Sequence, residues 1–364
     1  MRPPSSGPMT SLEGKMTVLL GAAFLATCSP SSPEPGIQTL AHLPEAVSNN
    51  AVAAAAVEGR VMAYSFAGMH AGKTWQSVTA DAYACDLEAG ECREMDGLPD
   101  GIGRLAAIAV TAGNQIYVFG GYTVAEDGSE RSTPEVWRFD PQSGEYAQMA
   151  DIPVPVDDSA ALVYADRYVY LVSGWHDHDN VTAVQVFDTA EDRWFTATSW
   201  PGSPVFGHAG AILDNRLLIC GGVEVVPPVS ADARRTFELY EACWTGEINP
   251  GDLTDITWNT ASLPGAARYR AAMTGSLETG RFVIMGGAVN PYNYNGIGYD
   301  GAAAGPVSLM MQISEGDIDR LVLPHSSATM DHRGLIEWNG GFVTLGGMTG
   351  RQTVSDEVRM MRSD

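Results

Sequence analysis

The chain has 364 residues, and its 44 Asp and Glu against 21 Lys and Arg give a formal net charge of −23. So acidic a surface repels phosphate backbones and excludes a nucleic-acid partner; it fits a protein kept soluble outside the cell or in salty surroundings. With so few cations, the positions of the arginines carry information.

Residues 1–28 read as an export signal. Lys15 precedes the apolar run MTVLLGAAFLA, which is too short to span a membrane. Met9 and Met16 are alternative starts ahead of it. Leu25-Ala26-Thr27-Cys28 resembles a bacterial lipobox, which makes Cys28 the candidate for acylation, with ordinary signal cleavage as the alternative. The expected location is periplasmic or outer-surface, with membrane contact only through that anchor. Residues 29–36, SPSSPEPG, form a Ser/Pro tether with nothing to pack.

From residue 37 to the C-terminus the chain repeats one unit, seen most clearly between Arg104 and Pro153. RLAAIAV, QIYVFGG, EVWRFDP and YAQMADIP are short β-branched and aromatic runs separated by turn residues. Connections this short predict a four-stranded antiparallel meander. A small-residue pair closing the second strand recurs at Ala67-Gly68, Gly120-Gly121, Ser173-Gly174, Gly221-Gly222, Gly286-Gly287 and Gly346-Gly347, at spacings of 53, 53, 48, 65 and 60 residues. A second marker, an apolar residue before Pro at the end of the fourth strand, falls at Leu43, Leu98, Ile152, Trp200, Leu263 and Leu323.

The unit resembles a kelch repeat, one blade of a β-propeller with a period near ~50 residues. The first apolar-Pro pair precedes the first glycine pair, and one strand, DEVRMMRS, follows the last pair. The segment 37–44 is thus a fourth strand without a blade, and the C-terminus a blade without a fourth strand. The expected fold is all-β, a six-bladed kelch propeller closed by joining the two, with no free edge at the seam.

The cysteines fit an oxidising compartment. Cys85 and Cys92 occupy the places of Phe139 and Tyr146, and of Phe187 and Trp194, in the next two units. Residues facing each other across a strand pair bring β-carbons to about 4.5–5.5 Å, so a Cys85–Cys92 disulfide is expected. Cys220 and Cys243 form a second candidate pair whose register an insertion obscures.

In such a meander the start of strand one and the end of strand two share one end of the unit, which places Arg104, His208, Arg268, Arg270 and Arg333 around the mouth of a central channel. The loops after the glycine pairs add Tyr292 and Tyr294. Arginine suits a carboxylate or phosphate, and aromatic and Asn side chains suit the faces and hydroxyls of a sugar. The expectation is a funnel, either open or plugged by the long loop from Asn290 to Gly305, although the same arginines could bridge neighbouring blades. Trp175 to Asn180, WHDHDN, has metal-ligand residue types but reads as a solvated loop, and no metal or organic cofactor is expected.

The fourth and fifth units carry VFGHAGAI, LLICGGVE, RRTFEL and NPYNYNGIGYDG. These resemble bacterial N-acetylneuraminate epimerases (sialic acid mutarotases), exported six-bladed kelch propellers that exchange the anomers of free sialic acid. The resemblance implies Glu224 as the base and Arg234 or Arg235 as the substrate-binding arginine. His208 or a water would be the acid partner, and Arg268, Arg270 or Arg333 a carboxylate clamp. The alternative is a non-catalytic surface module that binds glycan or protein through the same face.

Overall fold

The computed structural model describes residues 36–228, 235–314, 317–322 and 327–362. The leader, the tether except Gly36, Cys28, Arg234 and the Leu323-Pro324 marker lie outside them. Six antiparallel sheets of four or more strands follow one another along the described residues. The second is typical: Ile108–Ala112, Gln115–Phe119, Val136–Phe139 and Tyr146–Met149 pair in order as a meander. In the last, Ile336–Trp338, Gly341–Leu345 and Glu357–Arg362 are joined by Gly36–His42, which pairs antiparallel with Glu357–Arg362 and sets Ile37 opposite Met361.

Alternation puts one side-chain face of each sheet against the sheet before it and the other against the sheet after it. The first and second sheets bury Ala53, Phe66, Ile116 and Phe139 together. Equivalent clusters join the second to the third, and so on to the sixth. Another joins the sixth to the first, with Val343, Val358 and Met360 against Val52, Ala63 and Tyr83. Burying a residue of this size stabilises by about 1.5–3 kcal/mol, so the core lies in the seams between sheets rather than at one centre.

The glycine pairs have a steric cause. Their first members hold φ between 51° and 69°, which Ala67 and Ser173 adopt at 54°. The second members reach 85–113°, and there a Cβ would stand 2.6–3.0 Å from a backbone carbonyl oxygen such as that of Ser48 or Leu105. Only glycine fits the second place, whereas a small residue is tolerated in the first.

Cys85 lies directly opposite Cys92, and Cys220 opposite Cys243; both pairs are disulfides. Phe139 with Tyr146, and Phe187 with Trp194, occupy the same facing positions, each with ring centroids 4.9 Å apart.

The first strands of all six sheets line one cavity of about 980 Å³. The strand expected to start at Arg104 begins only at Ile108. Asn49, Ala106, Asp158, Gly207, Arg270 and Asp331, one from each sheet's approach, all have φ between 50° and 70°. They are linked in sequence: the N–H of Ala106 donates to the Asn49 carbonyl, Asp158 to Ala106, Gly207 to Asp158, Arg270 to Gly207 and Asp331 to Arg270. Between Asp331 and Asn49 the link is made by side chains, with Asn49 Nδ2 donating to Asp331 Oδ2 at 2.5 Å. A left-handed conformation costs a residue such as Ala106 or Arg270 roughly 1–2 kcal/mol, so the surrounding bonds hold it there.

Candidate functional site

Of the two alternatives for the funnel mouth, the filled one is found. Behind the ring of left-handed residues, Asp158, Arg270, Asp331 and Arg333 form one buried charge network. Arg270 donates to Asp158 Oδ2 through Nε at 3.2 Å and Nη2 at 2.6 Å, and through Nη1 to Asp331 Oδ1 at 3.3 Å. Arg333 reaches Asp158 Oδ1 at 2.5 Å and donates to Asn49 Oδ1 at 2.8 Å. Burial alone would raise the Asp158 carboxyl, but the Arg270 and Arg333 charges outweigh it and hold it below the usual range. Neighbouring Asp157, buried beside that charge, is pushed well above its usual value and accepts a hydrogen bond from Ser132. Over this network lies an apolar layer that includes Met69, Leu105, Phe206, Tyr269, Tyr292 and Met348. Tyr292 is fully buried 5.2 Å from the Arg270 guanidinium, and Tyr294 packs against the same layer.

Three other expected mouth residues are likewise committed inward. Arg104 is 1 % exposed and ion-paired with Asp100 and Glu135. Arg268 is buried and donates to the carbonyls of Gly265, Gly286 and Leu309; burial lowers its guanidinium to about 10. His208 donates from Nε2 to the Val172 carbonyl, and burial lowers it to about 4. Neutral and buried, His208 lies on the wall of the central cavity. Arg104, Arg268, Arg270 and Arg333 are all bonded to other parts of the protein, and Arg270 and Arg333 also line the central cavity.

His208 gives the stability a pH dependence. His332 is also buried, near the Arg359 and Arg333 charges, and lowered to about 3. Below pH ~6.5 the unfolded chain protonates these imidazoles and the folded one does not, so their contribution is lost as pH falls toward the folded values. Unfolding midpoints measured from pH 7 to 4 should therefore fall less steeply for His208→Gln than for the parent chain. Equal slopes would show that His208 protonates in the folded protein.

Glu224 and Arg235 are placed differently. They lie on one hairpin, Val223–Val226 paired with Thr236–Leu239, which extends the fourth sheet beyond Gly221-Gly222 and the Cys220–Cys243 disulfide. Val223 is buried under the apolar layer, so alternation turns Glu224 to the other side. Glu224 and Arg235 line one cleft of about 330 Å³ with Asp179, Asn180, Ser203 and Pro204. Asn180 pins the cleft by donating to the carbonyls of Pro204 and Val223. The loop around Asn180 is a short hairpin, and no cluster of three metal-ligating side chains occurs among the described residues.

Arg235 is held by aromatic faces, with its Cζ 5.0 Å from the Trp175 ring centroid and 5.6 Å from that of Phe237. Its Nη1 donates to the His178 carbonyl. Neither Arg235 nor Glu224 has an ion-pair partner among the described residues, whereas Arg104, Arg270 and Arg333 each have at least two. A cation oriented without a counter-charge, beside a carboxylate with none, can take an anionic ligand and exchange a proton with it. The sequence names Glu224 and, as alternatives, Arg234 or Arg235; it does not show that Trp175, from a different part of the chain, supports Arg235 together with Phe237.

A Kelch motif model matches residues 104–153. The chain is 33% identical over 110 residues to Kelch-like protein 15 of Gallus gallus, covering 30% of this chain and 22% of that one. It is 24% identical over 210 residues to Kelch domain-containing protein 3 of Homo sapiens, covering 54% and 51%. The matches thus span between about a fifth and a half of these relatives' lengths. The solved structure of YjhT superposes with a TM-score of 0.68 at 15% identity, covering 90% of this chain and 98% of that one. At that identity the likeness concerns the fold alone. The chain carries kelch repeats on an all-β, propeller-like fold.

Proposed function

We propose that the chain is a closed six-bladed kelch propeller that binds a small carboxylated sugar, of the sialic acid kind, in the Glu224–Arg235 cleft and exchanges its anomers. The pairing of Gly36–His42 with Glu357–Arg362, and the cluster joining the sixth sheet to the first, support closure. The two disulfides support an exported protein, anchored at Cys28 if the lipobox is used. The observation that carries the ligand reading is Arg235, a positioned guanidinium with no carboxylate partner among the described residues.

In the proposed reaction the Glu224 carboxylate takes the proton of the anomeric hydroxyl as the bond between the anomeric carbon and the ring oxygen breaks. A water protonates the ring oxygen, giving the open-chain carbonyl form. Reclosure on the opposite face reverses both transfers, and Glu224 ends as it began. Arg235 holds the ligand carboxylate throughout. A non-catalytic module binding glycan or protein would use the same cleft, but would not accelerate exchange.

A charge-assisted hydrogen bond contributes about 1.5–3 kcal/mol. Arg235→Ala should therefore weaken an acidic sugar by about 10–100-fold and leave its neutral analogue unchanged, by calorimetric titration. Added salt should weaken only the acidic ligand. Equal affinity for both sugars in the parent protein would overturn the assignment.

A further inference from the structure

Next to the cleft, the same face presents one exposed aromatic plane. Tyr299 belongs to the long connection between Met285 and Leu309 and stacks on Phe237, with centroids 4.2 Å apart and planes 26° apart. Phe237 in turn carries the Arg235 guanidinium, so Tyr299, Phe237, Arg235 and the cleft follow one another across the surface. Tyr299 is 41% exposed although one of its faces is covered, and Ile297 beside it is 37% exposed. Backing by Phe237 fixes the ring plane, so the cost of ordering it is met before a ligand arrives. An exposed, preordered aromatic face beside a polar cleft is a surface on which an apolar ring face can rest.

We propose that Tyr299 forms a second subsite, which stacks against a neutral sugar ring attached to the carboxylated unit held at Arg235. This rests on the cleft reading and extends the ligand from a single sugar to an oligosaccharide. Its carboxylated unit sits at the end that carries the free anomeric centre, because Glu224 needs that hydroxyl. The next ring lays its C–H face on Tyr299 and leaves its hydroxyls in water. That ring is neutral. Among the described residues the cleft offers one cation, Arg235, beside Glu224 and Asp179 on a protein of net charge −23, so a second carboxylate would meet repulsion rather than a partner.

The test compares glucuronate with N-acetylglucosaminyl-(1→4)-glucuronate, which adds a neutral ring to the same carboxylated unit and keeps its free anomeric centre, by calorimetric titration. The disaccharide should bind the parent protein at least about 5-fold more tightly, the gain expected of one aromatic contact of about 1 kcal/mol. Tyr299→Ala should abolish that gain without changing glucuronate affinity, and Tyr299→Phe, which keeps the stacking face, should retain it. Equal affinities for the two anions, or a gain that survives Tyr299→Ala, would overturn the subsite and leave the cleft standing. Failure of both anions to bind, or binding indifferent to Arg235→Ala, would overturn the cleft reading and the subsite with it.

Discussion

Asp158→Ala is expected to reduce folding stability by about 3–5 kcal/mol, read from denaturant unfolding. Asp158 is 1% exposed and contacts Arg270 at 2.6 Å and Arg333 at 2.5 Å, closer than Asp331 does at 3.3 and 3.9 Å. Its removal leaves two buried guanidinium groups sharing Asp331, whose own carboxyl is raised by burial despite the Arg270 and Arg333 charges. Asp158→Asn separates charge from shape, because asparagine tolerates the left-handed backbone at φ 50° that alanine resists. Most of the loss should persist in Asp158→Asn, since the missing quantity is charge. A loss under about 1 kcal/mol in both variants would show that water from the central cavity solvates the network in place of the carboxylate.

The repeats were legible in the sequence because each is a local pattern. The facing Cys85 and Cys92 were found from the aromatic pairs that take their place in neighbouring units, and the glycine markers because their second position tolerates no side chain. The fate of the arginines was not legible. Arg270 and Asp158 stand 112 residues apart, and Arg333 and Asn49 stand 284 apart, so their pairing depends on how six sheets converge. Arg268 binds backbone carbonyls, which no residue pattern advertises. The position of Glu224 became clear only with the pairing of Val223 to Leu239, which fixes the side of the hairpin that each residue faces. The residues that looked most like a clamp hold the protein together, whereas Arg235, on the cleft, has no ion-pair partner among the described residues.

Glu224→Gln should slow protein-accelerated anomer exchange by about 10²-fold or more, measured by NMR exchange between the two anomers. The amide keeps the size of the carboxylate and its hydrogen-bonding capacity but cannot take the hydroxyl proton. Binding should survive, because the ligand carboxylate is held by Arg235. It could even tighten, since the change removes a negative charge from a cleft that also contains Asp179. This separation of rate from affinity marks a base rather than a binding contact. If the parent protein accelerates no exchange while acidic sugars still depend on Arg235, the cleft belongs to a binding module. If exchange is fast and Glu224→Gln leaves it unchanged, the base must be another group that lines the cleft. His208 is buried on the cavity wall and its Nε2–H is held by Val172, so Asp179→Asn becomes the decisive variant.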